Sequence, residues 1–179
     1  HPYVITYGND QYVPVGASGQ CATLPHGITW TVQPSFTTVF GANIAYAITY
    51  SNGKYVAVGF SGKCVTSTDG VTWTKQNGFV YNIGGFGRSK LLYVTYGNGK
   101  YVAVGNLGLI TTSLDGVNWT VSDSAKIVFG NTNISIVCWN GIKFISAGDN
   151  KGATSTDGVT WTAQPSFATA FGVSTPISV

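Results

Sequence analysis

Six aspartates, one arginine, two histidines and three cysteines are the chemically versatile side chains of this 179-residue chain, which has no glutamate. Three of the aspartates recur in one frame, S-x-D-G-x-x-W, at 67–73, 113–119 and 155–161. In that frame Asp69, Asp115 and Asp157 can accept hydrogen bonds from the N–H groups of a tight turn, and the glycine can take the positive φ. The serine hydroxyl can bond back across the turn, and Trp73, Trp119 and Trp161 supply large apolar bodies to pack behind it. These aspartates are therefore expected to be architectural. Glycoside hydrolysis generally needs two neighbouring carboxylates, and Asp10, Asp123 and Asp149 fall in unrelated parts of the chain. His1 and His26 have no nucleophile context for a charge-relay arrangement. Cys21, Cys64 and Cys138 lack the paired spacing of a metal site, and isolated carboxylates form no cation cage. The residues point to no enzyme, no metal and no cofactor.

The elements that must position these residues repeat. The aromatic anchors Tyr7, Tyr50, Tyr96 and Trp139 lie 43, 46 and 43 residues apart. Each anchor closes a first strand. A turn follows, Asn9-Asp10 in the first unit, then Asn52-Gly53, Asn98-Gly99 and a shifted Asn140-Gly141. Asn-Gly suits a type I′ hairpin turn. An alternating strand (KYVAVG in two units), a glycine-bounded turn, a Thr/Ser strand and a short strand around Trp30, Trp73, Trp119 or Trp161 complete each unit. No segment shows sustained helical periodicity. Several short strands at this period belong to β-propellers, whose four-stranded blades cover one another's faces. The expected fold is all-β, a single propeller domain over 1–179. Its four-stranded antiparallel repeats run at about 3–44, 45–91, 92–133 and 134–175. They could form four blades, or part of a larger or oligomeric ring. Residues 176–179 match 2–5 and begin a further strand, as a fragment of a longer array or a homo-oligomer would.

Charged residues are 8% of the chain, against about 25% in globular proteins generally. The net charge of +3 is too weak for a nucleic-acid-binding face. No apolar run is long enough for a membrane-spanning helix. Cys21 and Cys64 occupy equivalent places in adjacent units and are expected as buried free thiols, with a bridge between them as the alternative.

The S-x-D-G-x-x-W frame resembles the Asp-box, or BNR, repeat of sialidase-like propellers, with one residue fewer between Asp and Trp. The first unit departs further, with Leu24 and His26 where Ser and Asp belong. In that family the box is mainly a fold-stabilising turn, which agrees with the reading of Asp69, Asp115, Asp157 and the four tryptophans. Sialidases of the family need three arginines, a tyrosine and a glutamate; Arg88 stands alone here and glutamate is absent, so the catalytic set cannot be assembled. Short propellers of this Gly/Thr/Tyr-rich kind resemble modules of phage tails, virion decorations and bacterial surfaces. The photosystem II stability propeller is similar in repeat style, but this chain lacks its arginine-rich face.

The resemblance also implies where a ligand would sit, because propellers usually bind on the face formed by the loops joining the last strand of one blade to the first of the next together with the loops between the second and third strands. Two of the connections between blades are near copies, QPSFTTVFG at 33–41 and QPSFATAFG at 164–172. Phe36, Phe79, Tyr81 and Phe167, with Asn43, Asn82 and Asn131, could stack and hydrogen-bond a sugar; the competing reading makes the aromatics plugs between blades. Lys54, Lys100 and Lys143 fall in equivalent places at the opposite end, as a solvated rim or a weak attraction for an anionic polysaccharide. The expectation is a non-catalytic binding propeller, extracellular or on a virion, that recognises a glycan or surface receptor. The alternative is a structural component with protein partners only.

Overall fold

A computed structural model describes residues 1–76 and 89–171, the side chain of Phe171 excepted. The first repeat runs through β1 (Pro2–Gly8), β2 (Gln11–Gly16), β3 (Ala22–Pro25) and β4 (Thr31–Val32) into a short helix, α1 (Pro34–Phe40). The second has β5 (Ala45–Ser51), β6 (Lys54–Gly59), β7 (Cys64–Ser67) and β8 (Thr74–Lys75). The third has β9 (Leu91–Gly97), β10 (Lys100–Gly105), β11 (Ile110–Ser113), β12 (Thr120–Val121) and a helix α2 (Asp123–Phe129). The fourth has β13 (Ile136–Trp139), β14 (Phe144–Gly148), β15 (Lys151–Ser155), β16 (Thr162–Ala163) and α3 (Ser166–Phe171). Each repeat forms its own four-stranded antiparallel sheet in chain order.

The turn chemistry acts as the sequence requires. Asn52 and Gly53 sit at φ 51° and 70°, Asn98 and Gly99 at 46° and 76°. These are the left-handed pairs of a type I′ turn, and they hold each hairpin in register. The fourth turn differs: the Asn140 Oδ1 accepts the N–H groups of Ile142 and Lys143, both at 2.9 Å. Each hairpin places two aromatics opposite each other, Tyr7 on Tyr12, Tyr50 on Tyr55, Tyr96 on Tyr101 and Trp139 on Phe144, with ring centres 4.5–4.9 Å apart.

The three helices are the departure from expectation. They are six or seven residues long, too short for a periodic pattern to stand out. Pro34 fits the first turn of α1, where its missing N–H costs nothing. Ser122 caps α2 by accepting the Ala125 N–H.

The chain divides into two compact units, His1–Leu91 and Leu92–Val179, each holding two sheets. In the first unit the two sheets enclose Val13, Val15, Ile48, Ala57, Val65 and Trp73, closed by Phe36 and Phe40 of α1. In the second unit Val102, Val104, Ile110, Ala153 and Trp161 pack with Ala125 and Phe129 of α2. Alternation decides the pairing: along β2, Val13 and Val15 face the second sheet, while Pro14 faces the other way.

Two glycines set how closely the sheets approach. The backbone of Gly8 lies directly on the Tyr50 ring, and Gly97 lies likewise on Trp139, so a β-carbon at either place would overlap the aromatic. The Tyr55 hydroxyl donates to the Gly8 carbonyl and ties the same joint. Gly8→Ala and Gly97→Ala should each cost about 1–3 kcal/mol, the usual penalty for overpacking. Urea unfolding would measure it, and unchanged stability would contradict the close approach.

Candidate functional site

The three recurrent carboxylates are used inside their own turns. The Ser67 hydroxyl donates to Asp69 Oδ1 at 2.8 Å and accepts the Gly70 N–H at 2.8 Å. The same Asp69 oxygen accepts the N–H groups of Val71 and Thr72 at 2.8 and 2.7 Å. Asp115 accepts from Val117 and Asn118 at 2.8 Å each, and Asp157 from Val159 and Thr160 at 2.8 and 2.7 Å. Each tryptophan indole then donates to the turn glycine's carbonyl, Trp73 to Gly70 at 2.9 Å, Trp119 to Gly116 at 3.2 Å and Trp161 to Gly158 at 3.1 Å.

These bonds favour the ionised carboxylate. Partial burial raises the Asp157 pKa, but the donors Thr160, Val159 and Ser155 outweigh it and hold the group down to about 2. Partial burial of Asp69 is likewise outweighed by Thr72, Val71 and Ser67, leaving a lowered pKa. At Asp115 the N–H groups of Asn118 and Val117 act most strongly, and the pKa is again lowered. A carboxylate locked as an anion and saturated with donors is a poor general acid or base. Asp149 accepts the Asn133 N–H at 2.8 Å, and Asp123 sits in the first turn of α2. Among the described residues no three His, Cys, Asp or Glu side chains gather as a metal site would require.

The residues expected to contact a sugar are not presented as one site. Phe36 is fully buried, stacked on Phe40 at 5.0 Å and edge-on to Trp73 at 4.9 Å, so it has no ring face to offer a ligand. That corrects the expectation: the ring is a plug between sheets because α1 turns it inward. Asn43 donates to the Phe40 carbonyl at 3.3 Å and finishes α1. Asn131 is exposed and accepts from the Lys126 ammonium at 2.7 Å. Phe167 is half-buried, packed over Gly152 of its own sheet. Phe79, Tyr81, Asn82 and Arg88 lie outside the described residues, as do 176–179.

Residues the sequence reading passed over hold these connections in place. The Lys63 ammonium donates to the Phe40 carbonyl at the end of α1, and Lys151 donates to the Phe129 carbonyl of α2 at 3.0 Å. In both cases a cation from the following repeat meets the carbonyl end of a helix, where its charge is stabilising. Their common position, Lys63 immediately before β7 and Lys151 at the start of β15, was the available signal. Cys21 and Cys64 are buried and not disulfide-bonded, and burial pushes the Cys21 pKa up to about 12.

Trp30 requires a second correction. It was expected to pack between sheets like its counterparts, yet it is 51% exposed while Trp73 and Trp161 are 3% and 4%. Its turn runs through His26 and Gly27 at φ 56° and 71°, without the serine and aspartate of the other repeats. It lies on the face of the first sheet opposite the one that packs on the second sheet. That face forms a groove of about 660 Å³ walled almost wholly by apolar side chains, including Tyr3, Ile5, Pro14, Trp30 and Val32.

No protein-family model and no curated protein sequence matches this chain. Solved structures do, and they show a β-propeller fold. YCF48 from Cyanidioschyzon merolae aligns over 92% of this chain and 59% of its own, at 16% identity and a TM-score of 0.63. YCF48 bound to a D1 peptide aligns over 92% of this chain and 55% of its own, at 16% identity and a TM-score of 0.63. The WD40 β-propeller domain of Doa1 aligns over 92% of this chain and 54% of its own, at 9% identity and TM-score 0.62. A GH74 enzyme of Niastella koreensis aligns over 90% of this chain but 24% of its own, at 19% identity and TM-score 0.59. The chain thus spans little more than half the length of the YCF48 and Doa1 structures.

The box turns make one test of stability. Asp157→Ala should cost roughly 0.5–2 kcal/mol at neutral pH, as loss of a capping side chain does. The folded pKa lies below the unfolded value of about 3.9. The contribution is therefore complete above about pH 4 and is lost as pH falls toward about 2. Denaturant unfolding at a series of pH values should show the gap between wild type and variant closing over that window. A pH-independent gap would contradict the assignment.

Proposed function

We propose that this chain is a non-enzymatic binding propeller whose partner is protein. One observation carries the reading: the groove on the first sheet exposes Tyr3, Ile5, Trp30 and Val32 side by side, with relative exposures of 51–71%. Contiguous apolar surface with an aromatic anchor is the usual core of a protein-binding site. A sugar site needs amide and hydroxyl groups set around its aromatic platform, and this groove has Gln20 as its one side-chain amide. The resemblance of the S-x-D-G-x-x-W turns to Asp-box repeats supports the non-catalytic side of the reading, because those turns serve architecture. The fold shared with YCF48, solved with a bound peptide, is consistent with it. A chain poor in charge and rich in Ser, Thr and Asn suits a particle or extracellular surface, and that setting is part of the proposal.

The same labelled protein applied to a glycan array and a peptide array tests the partner class. Binding should appear on aromatic-containing peptides and weaken at least tenfold in Trp30→Ser, as loss of an interface anchor does. Binding to glycans with none to peptides would overturn the reading. Incubation with polysaccharides should release no reducing sugar, and release would overturn the non-enzymatic assignment.

A further inference from the structure

A polar contact inside the sheets recurs in three repeats and is replaced in the third one along the chain. Just after the last strand of each sheet, one residue donates its backbone N–H to the strand before it: Gln33 to Cys21, Gln76 to Cys64, Ser122 to Ile110 and Gln164 to Gly152. Two residues beyond each acceptor stands a threonine, Thr23, Thr66, Thr112 and Thr154. Wherever the donor is glutamine, its side-chain amide also donates to that threonine's hydroxyl: Gln33 to Thr23 at 2.8 Å, Gln76 to Thr66 at 2.7 Å and Gln164 to Thr154 at 3.2 Å.

The third repeat has Ser122 in that place. Its hydroxyl accepts the Ala125 N–H at the start of α2 and donates to the Val159 carbonyl. Thr112 is 9% exposed, and its hydroxyl has no hydrogen-bond partner among the described residues. It opens into a cleft of about 340 Å³ whose walls include Lys100, Leu114, Asp115, Asn118 and Thr120. Thr112 lies opposite Val102 on one side and Thr120 on the other, so all three share a face. Val102 packs on that face against Phe144 and Trp161 of the fourth repeat, which places the cleft within the second unit.

We infer that this cleft is a binding site for a primary carboxamide, the group that the chain itself supplies at this place in the other three repeats. The ligand's NH2 would donate to the Thr112 hydroxyl, as the Gln33 amide does to Thr23. Its oxygen would accept from the Lys100 ammonium, which has no hydrogen-bond partner among the described residues. Asp115 is held ionised by the N–H groups of its own turn, and its charge in the same cleft favours a neutral ligand over an anion. The volume lies at the small end of ligand sites and admits either a glutamine side chain of a polypeptide or a free small amide. The site makes no use of the groove on the first sheet, so it stands or falls apart from the partner proposed there.

Proton–nitrogen correlation spectra of the chain, titrated with propionamide and with a blocked glycine–glutamine–glycine peptide, provide the test. The N–H signals of Thr112 and Thr120 should shift with both probes. They should stay in place with the same peptide carrying norleucine, which keeps the chain length and lacks the amide. Thr112→Val should weaken binding by about two- to tenfold, as loss of one neutral hydrogen bond does. Ser122→Gln supplies the amide from within and should abolish the shifts. Gln33 precedes α1 in the same way, so the fold accommodates that residue, and circular dichroism checks that both variants fold. A peptide that binds more tightly than propionamide identifies a polypeptide side chain as the source, and one that binds no more tightly identifies a free small amide. No shift with either probe, equal shifts with the norleucine peptide, or shifts that survive in Ser122→Gln overturn the proposal.

Discussion

A four-stranded sheet has two faces and cannot cover either one by itself. Everything else in this molecule follows from how that cover is supplied. Within each unit the neighbouring sheet supplies most of it, and a small joint completes it: a serine that takes a tryptophan N–H, phenylalanines that turn inward from a short helix, and a lysine from the next repeat that holds the helix's carbonyl end. Burying a tryptophan and an isoleucine in this way is worth several kcal/mol. That explains why the repeat keeps its aromatic positions while its exposed loops vary.

The same economy governs charge. A chain with six carboxylates commits three of them to turns, where N–H groups hold them ionised. Those turns aim Trp73 and Trp161 at the neighbouring sheet of their own unit, so a side chain that could do acid–base chemistry is instead part of the packing apparatus. Where the frame is missing, in the first repeat, the indole of Trp30 is half exposed.

Much of this was legible in the residues. The repeat length, the hairpin turns and the role of Asp69, Asp115 and Asp157 follow from local chemistry: positive-φ residues, spacing, and a carboxylate beside a glycine. Even the shift of Asn140-Gly141 signalled a different turn. Cover was harder to read, because it is a relation between repeats. Phe36 looked like a platform for a ligand because nothing in QPSF says which way a one-turn helix rotates its ring. Trp30 looked equivalent to Trp73 because the sequence records the residue and not its neighbour. The helices escaped notice since seven residues hold barely two turns of period. Lys63 and Lys151 act across a repeat boundary and have no local signature beyond their matching position.

The central claim is that, within each unit, the helix between the two sheets and its serine protect the tryptophan of the second sheet, Trp73 in one unit and Trp161 in the other. Amide hydrogen exchange of the backbone N–H groups of Trp73 and Trp161, in wild type and in Ser35→Ala and Ser124→Ala, tests it most directly. The account expects slow exchange at both in wild type, where Ser35 and Ser124 accept the N–H groups, and faster exchange at each in the matching variant. Exchange left unchanged by both substitutions would contradict it.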